Sequence, residues 1–380
     1  MPKIAQKEKQ RKGSVIKVFK IITAIILIIA VFAVAFVEIV TRKQPDTDEN
    51  KVYVGGMLSS DTVDYETPSG DGIRKNPVIK LMQMVWYFCA DGDAKKHEKQ
   101  TPPEVEMIKD IAYANDINLY HTLDVYYPEG TTPTDRLPVI IDIHGGGWMY
   151  GSKELNEYYC RALADRGFVV FNMSYRLVPD VTVNEQLQDV MLALKWINEN
   201  MASYPCDSES IMLTGDSAGG MLSAYAAVLM QSEELRDIFD VVNPEMQLDA
   251  LLLTSPVANM NDEGYLSIYT KLLWGKDYKN KATYNYMNFD QIVDFASDFP
   301  PTYLITSSGD SLAHDQTLAT AKLLESKGVQ TVLKDYEKYN DKSLPHVFSV
   351  LQPFDEIGTQ TIDGAVDFYR DIINQKQTAE

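Results

Sequence analysis

Residues 211–230 read IMLTGDSAGGMLSAYAAVLM: a short β-prone apolar run, a turn with glycine at 215 and 219, and an apolar stretch of helical length. A strand that is apolar at nearly every position is covered on both faces, as central strands of parallel sheets are. A helix that starts within a few residues of it must fold back over that sheet. Gly215 and Gly219 allow the turn, because strand and helix meet there without side chains between them. Ser217 stands at the apex, raised above the sheet edge. The helix N-terminus behind it directs partial positive charge toward any oxyanion that forms there.

From about residue 117 the chain alternates short apolar strands with amphipathic helices, which implies a sheet with helices on both faces. Strands are expected at 123–127, 138–143, 168–173, 211–214, 250–254, 303–306 and 331–335. Helices are expected at 155–166, 183–201, 218–230, 317–326 and 362–373. The rhythm breaks at 258–299, where Tyr265, Tyr269, Trp274, Tyr278, Tyr284, Tyr286 and Phe289 cluster. Such an aromatic insertion either fills core or covers substrate. Its place just before the strand leading to Asp310 favours a lid. Residues 61–115, with the apolar patch LMQMVWYF at 81–88, are expected to be a helical cap region.

His144-Gly145-Gly146-Gly147-Trp148 directly follows the strand PVIIDI. Consecutive glycines let backbone amides point at one oxygen. The chain has no GxxxxGK[ST] sequence, which disfavours a phosphate cradle. Paired with the turn at Ser217, the run reads as half of an oxyanion hole whose donors are the amides of Gly146, Gly147 and Ala218. His144, Gly145, Trp148, Gly215, Asp216 and Gly219 then shape and support the two loops. Serine needs a base, and the histidines are His97, His121, His144, His314 and His346. His97 lies in the charged run DAKKHEK and is expected to face solvent; His121 precedes a strand and is read as structural. On an α/β-hydrolase sheet the chain order is serine, acid, histidine, which leaves His314 and His346. His346, in the loop after the last strand, is the preferred base. Asp310 ends the strand before it and is the preferred acid, with Asp315 the alternative as a first-turn residue of the next helix.

Together these residues resemble the hormone-sensitive-lipase-like branch of the α/β-hydrolases, a family of carboxylesterases. The resemblance spans about 104–372 and rests on HGGGW at 144–148, SYRLVP at 174–179, GDSAGG at 215–220, DSLAHD at 310–315 and PHVF at 345–348. The family pattern DPLxDD aligns onto Asp310 without a gap. Ser311 departs from the family's proline, His314 from its acid and Val347 from the glycine after the histidine. The resemblance implies an α/β-hydrolase catalytic domain at 116–375 with a cap built from 61–115 and 258–299. It also implies a small-molecule ester as substrate, with no cofactor and no metal. A peptidase or amidase with the same three groups is the alternative chemistry. A binding protein on this scaffold is the alternative class, although such proteins usually lose one of the three.

The N-terminus carries a separate message. A basic tail at 1–20 precedes the apolar run IITAIILIIAVFAVAFV, and with Ile39 and Val40 the stretch 21–40 matches the ~20 residues that cross a bilayer. One transmembrane helix is therefore expected ahead of the hydrolase. Ala33-Val34-Ala35 fits a signal-cleavage pattern, but the run exceeds the ~7–15 residues of a signal peptide's apolar region, which favours a retained anchor. Basic residues on the N-terminal side place residues 1–20 in the cytoplasm and the body outside. Residues 41–60 read as a polar linker. The net charge of −19 divides into +7 over 1–43 and −26 over the rest, so the body repels phosphate backbones and nucleic acid is not an expected partner. Cys89, Cys160 and Cys206 are too few for a disulfide framework.

Overall fold

The computed structural model describes residues 29–41, 53–55, 57, 76–116, 118–259, 270–275 and 277–379, together with 23 and 26. Its centre is an eight-stranded sheet: β1 (Val105–Ala112), β2 (Thr122–Pro128), β3 (Leu137–Ile143), β4 (Val169–Met173), β5 (Cys206–Asp216), β6 (Ala250–Thr254), β7 (Thr302–Ser307) and β8 (Thr331–Tyr336). The spatial order is β1-β2-β4-β3-β5-β6-β7-β8. The pairings β1–β2 and β2–β4 are antiparallel, and every pairing from β4 to β8 is parallel.

The period-2 alternation of the strands divides the core into two layers. Val139, Ile141 and Ile143 of β3 face one side with Leu213 of β5 and Leu251 of β6. Helices α3 (Val183–Asn200), α4 (Ser217–Leu229) and α7 (His314–Ser326) cover that side. Ile140, Met212 and Leu252 face the other side, under α2 (Glu157–Ala164), the short α8 (Phe348–Leu351) and α9 (Glu356–Ala379). A capping box starts α3: Glu185 accepts hydrogen bonds from the backbone N–H and the hydroxyl of Thr182. Ahead of the sheet lies α1 (Pro77–His97), and α5 (Glu233–Phe239) follows α4.

Three expectations need correction. Residues 105–112 belong to the sheet as its edge strand and not to a helical cap; within 61–115 the described helix is α1. The linker read over 41–60 is docked at its far end, where Val54 and Met57 are buried and Val54 bridges Tyr150. His97, expected in solvent, is half-buried and stacks on Tyr158. In the insertion, α6 (Thr270–Trp274) and a series of 3-10 turns bury Trp274, Phe289 and Ile292 in the core, and Tyr225 donates to the Tyr286 carbonyl. Residues 260–269 and 276 of the expected lid lie outside the described residues. So does part of the expected span 21–40. Among the described residues no helix is long and apolar enough to cross a membrane.

Candidate active site

β5 delivers Ser217 into a left-handed backbone, φ +51°, which a non-glycine residue holds only when its surroundings impose it. The imposition is visible at Gly219: a Cβ there would meet the carbonyl oxygens of Ile143 and His144 at 2.0 and 2.4 Å. The helix therefore starts in contact with the end of β3, and Ser217 projects from the turn.

The loop after β8 brings His346 over the serine. His346 Nε2 lies 2.9 Å from Ser217 Oγ, and its Nδ1 lies 2.9 Å from Asp310 Oδ2. Asp310, just past β7, is buried. Burial alone would raise its pKa. The hydrogen bond and charge of His346, the Ala313 amide and the Ser255 hydroxyl outweigh that and hold it below the ordinary carboxylate range. Its Oδ1 also accepts from the amides of Leu312 and Ala313 at 3.0 Å each. The His346 loop is tied back by Ser307, whose hydroxyl donates to the Leu344 carbonyl at 2.7 Å. The two alternatives stand elsewhere: His314 pairs with Asp335 at 3.0 Å, and the Asp315 side chain is fully exposed. Val347, where the resemblance expects glycine, has φ +47°, so the departure falls on a position whose backbone suits glycine better.

Facing the serine, the glycine loop turns through left-handed conformations at Gly146, Gly147 and Trp148. Among the described residues neither the Gly146 nor the Gly147 amide donates to a protein acceptor. The Ala218 amide belongs to the first turn of α4, where N–H groups have no intrahelical partner. Gly145 is tied across to the serine turn, its amide donating to Asp216 Oδ1 at 2.9 Å. The His144 ring stacks on Tyr175 at 4.3 Å, and the Tyr175 hydroxyl donates to the His144 carbonyl. Burial pushes the His144 pKa down to about 4, so the ring is neutral at physiological pH.

Several groups that hold this loop have no local sequence signal. Asn156 Nδ2 donates to both Asp142 Oδ2 and Asp216 Oδ1 at 2.9 Å. Burial pushes the Asp216 carboxyl up to about 6, and raises that of Asp142 with help from the Asp216 charge. From outside, Tyr53 O accepts from Gly151 N and Gly55 N donates to Met149 O, at 2.8 and 2.7 Å. Gln83 of α1 donates to the Gly55 carbonyl, and Asp93 accepts from the Tyr150 hydroxyl. Trp86 of α1 stacks on Tyr150, and its ring occupies the space that a Cβ on Gly147 would need, 2.8 Å away. Only the apolar patch around Trp86 could have hinted at this from sequence.

The site so built has relatives. Residues 123–341 match the BD-FAE family. Esterase B of Lactobacillus rhamnosis, solved with a bound inhibitor, superposes with a TM-score of 0.75 at 31% identity over 80% of this chain and 99% of its own. The chain belongs to the carboxylesterase family of the α/β-hydrolases. By that membership it is a carboxylic ester hydrolase. Carboxylesterase NlhH of Mycobacterium tuberculosis is 27% identical over 68% of this chain and 86% of its own length. Bovine arylacetamide deacetylase is 38% identical over a shorter stretch, 33% of this chain and 32% of its own.

Proposed function

We propose that this carboxylesterase works by two-step acyl transfer through Ser217, His346 and Asp310, and is tethered to the membrane with its body outside the cytoplasm. The observation that carries the chemistry is the single imidazole 2.9 Å from the serine hydroxyl on one side and 2.9 Å from a buried carboxylate on the other. His346 takes the serine proton as Oγ attacks the ester carbonyl, and Asp310 holds the ring and offsets its charge. The amides of Gly146, Gly147 and Ala218 receive the oxyanion. The imidazolium then protonates the leaving alcohol. Water, deprotonated by the same ring, adds to the acyl-enzyme and releases the acid. No step calls on a cofactor or metal.

Esterase B has been solved with a tributyrin phosphonate, so short-acyl esters head the substrate panel for this chain. Residues 258–299 are read as a lid over the acyl group. The tether rests on the apolar run at 21–40 behind its basic tail.

A fluorophosphonate probe should label the wild type and not Ser217→Ala. A panel of p-nitrophenyl esters against aminoacyl amides should be turned over on the ester side; hydrolysis of the amides alone would replace this reading with a peptidase. For the tether, protease added to intact cells should digest the body and spare an epitope on residues 1–12. A body fully protected from protease would refute its export.

A further inference from the structure

We infer that the outward face of α1 is a lipid-docking surface, which seats the hydrolase on the zwitterionic surface of the bilayer; this rests on the tethered reading above. Val78, Leu81, Val85 and Phe88 are 56, 50, 49 and 48% exposed. They stand at i, i+3, i+7 and i+10, along one side of the helix. From Asn76 onward the described chain leaves eight large apolar side chains exposed, and half of them form this stripe; Met107, Ile108, Val242 and Tyr284 are on other elements. The inward side of α1 already buries Ile79, Gln83, Ala90 and Asp93. An apolar stripe on the side of a helix turned away from the core is expected against lipid or a partner, not in water.

The occupant is identified by what touches the same helix. Phe36, in the last turn of the apolar run 21–37, stacks on Phe88 with centroids 6.4 Å apart, and Glu38 pairs with Lys80. Side chains two residues apart on a helix point about 200° apart, and Lys80 and Phe88 are about 12 Å apart along α1. Contacts so placed fit α1 crossing the end of the helix that carries Phe36 better than running beside it. A helix that crosses the end of a span lies close to the plane of the bilayer surface, as interfacial amphipathic helices do. The excess of 26 negative charges outside residues 1–43 rules against anionic headgroups and leaves a zwitterionic surface. Through Trp86 and Asp93 the same helix supports the glycine loop, so docking places the ester site beside lipid-dissolved substrate.

The test uses the full chain reconstituted in phosphatidylcholine vesicles. Leu81→Cys and Val85→Cys, each on a Cys89→Ser background, carry an environment-sensitive fluorophore, with Lys327→Cys as the control. Labels at 81 and 85 should be quenched by doxyl-labelled lipid and shielded from iodide, and the control should show the reverse. Iodide quenching at 81 and 85 while the protein still floats with vesicles would overturn the docking and leave the tether standing. Protein that fails to float would overturn both. Shielding from both quenchers would mean that a second copy or another chain segment covers the face, and the docking would again be wrong. Leu81→Glu combined with Val85→Glu should reduce hydrolysis of a vesicle-dissolved long-chain ester by about tenfold and leave a water-soluble butyrate ester unchanged. An equal loss on both esters would make the stripe merely structural.

Discussion

The serine turn and the glycine loop face each other across the same site, yet they are held by different means. The turn is shaped locally: Gly215 and Gly219 lie within two residues of Ser217, and its backbone rests against the end of β3. The loop is held by groups scattered along the chain, from Tyr53, Gln83, Trp86 and Asp93 outside to Asn156, Tyr175 and Asp216 inside. A part built from neighbours in sequence fails as a unit. A part built from distant contacts can be loosened one contact at a time.

The largest contrast is chemical. Ser217→Ala should lower kcat on a short p-nitrophenyl ester by about four orders of magnitude or more, leaving what binding and the oxyanion donors supply. Activity within tenfold of wild type would remove Ser217 from its role. Asp310→Asn should approach that loss, because the amide presents His346 in the wrong tautomer; the same change in a serine-protease triad costs ~10⁴ in turnover, which sets the scale. Asp315→Asn, on an exposed side chain, should leave turnover nearly intact. The reverse pattern would overturn the acid assignment.

Glycine substitutions separate the two regions directly. Gly219→Ala drives a Cβ into two backbone carbonyls, which cannot retreat without moving β3, and should yield little folded protein. Gly147→Ala first meets the far edge of the Trp86 ring, at a φ of +57°. The αL backbone adds roughly 1–2 kcal/mol of strain, so the chain should fold while kcat falls about ten- to a hundredfold through a displaced oxyanion donor. Adding Trp86→Ala to Gly147→Ala should recover part of that loss, although Trp86→Ala alone lowers activity. Additive losses in the double variant would show that Trp86 does not press on the loop.

The same contrast explains what can be read from the sequence. Ser217 and Asp310 follow closely on β5 and β7, His346 lies in the loop after β8, each is inside a contiguous motif, and the alternation from 117 onward sets out the sheet. β1 escapes such a reading because its pattern is irregular. The strand VEMIKDIA is an edge strand with Met107 and Ile108 exposed, and its register slips between Ile108 and Ile111, where Asp110 takes φ +58°. A bulge of this kind breaks period-2 alternation. The support of the glycine loop is invisible for another reason. Val54, Trp86 and Asn156 reach it through tertiary contacts, and no local spacing records which loop a side chain will meet. Val54 even lies in a segment whose composition is that of a linker.

A small effect on turnover, and the finest probe of the bond between the two regions, belongs to Asp216. Its Oδ1 joins the serine turn to the loop by accepting from Gly145 and Asn156, an acceptor role that the amide oxygen of Asp216→Asn can keep. Turnover should therefore stay within about tenfold, as for an interaction that is retained. Stability should change more informatively. Burial holds the folded carboxyl at about 6, above the ~3.9 of an unfolded aspartate. As pH rises from 4 to 6 the unfolded chain releases this proton while the folded chain keeps it, so the folded state loses stability across that window and stays lower above it. The Asp216→Asn variant has no such proton. Its advantage over wild type should be absent below pH 4, grow through the window and level off above pH 6 at up to about 3 kcal/mol, two pH units at 1.36 kcal/mol each. Urea denaturation of both proteins between pH 4 and 8 measures the difference. A variant that loses ground to wild type as pH rises would show instead that the Gly145 amide, Asn156 and His346 stabilise a charged Asp216, and that this bond between turn and loop is ionic at neutral pH.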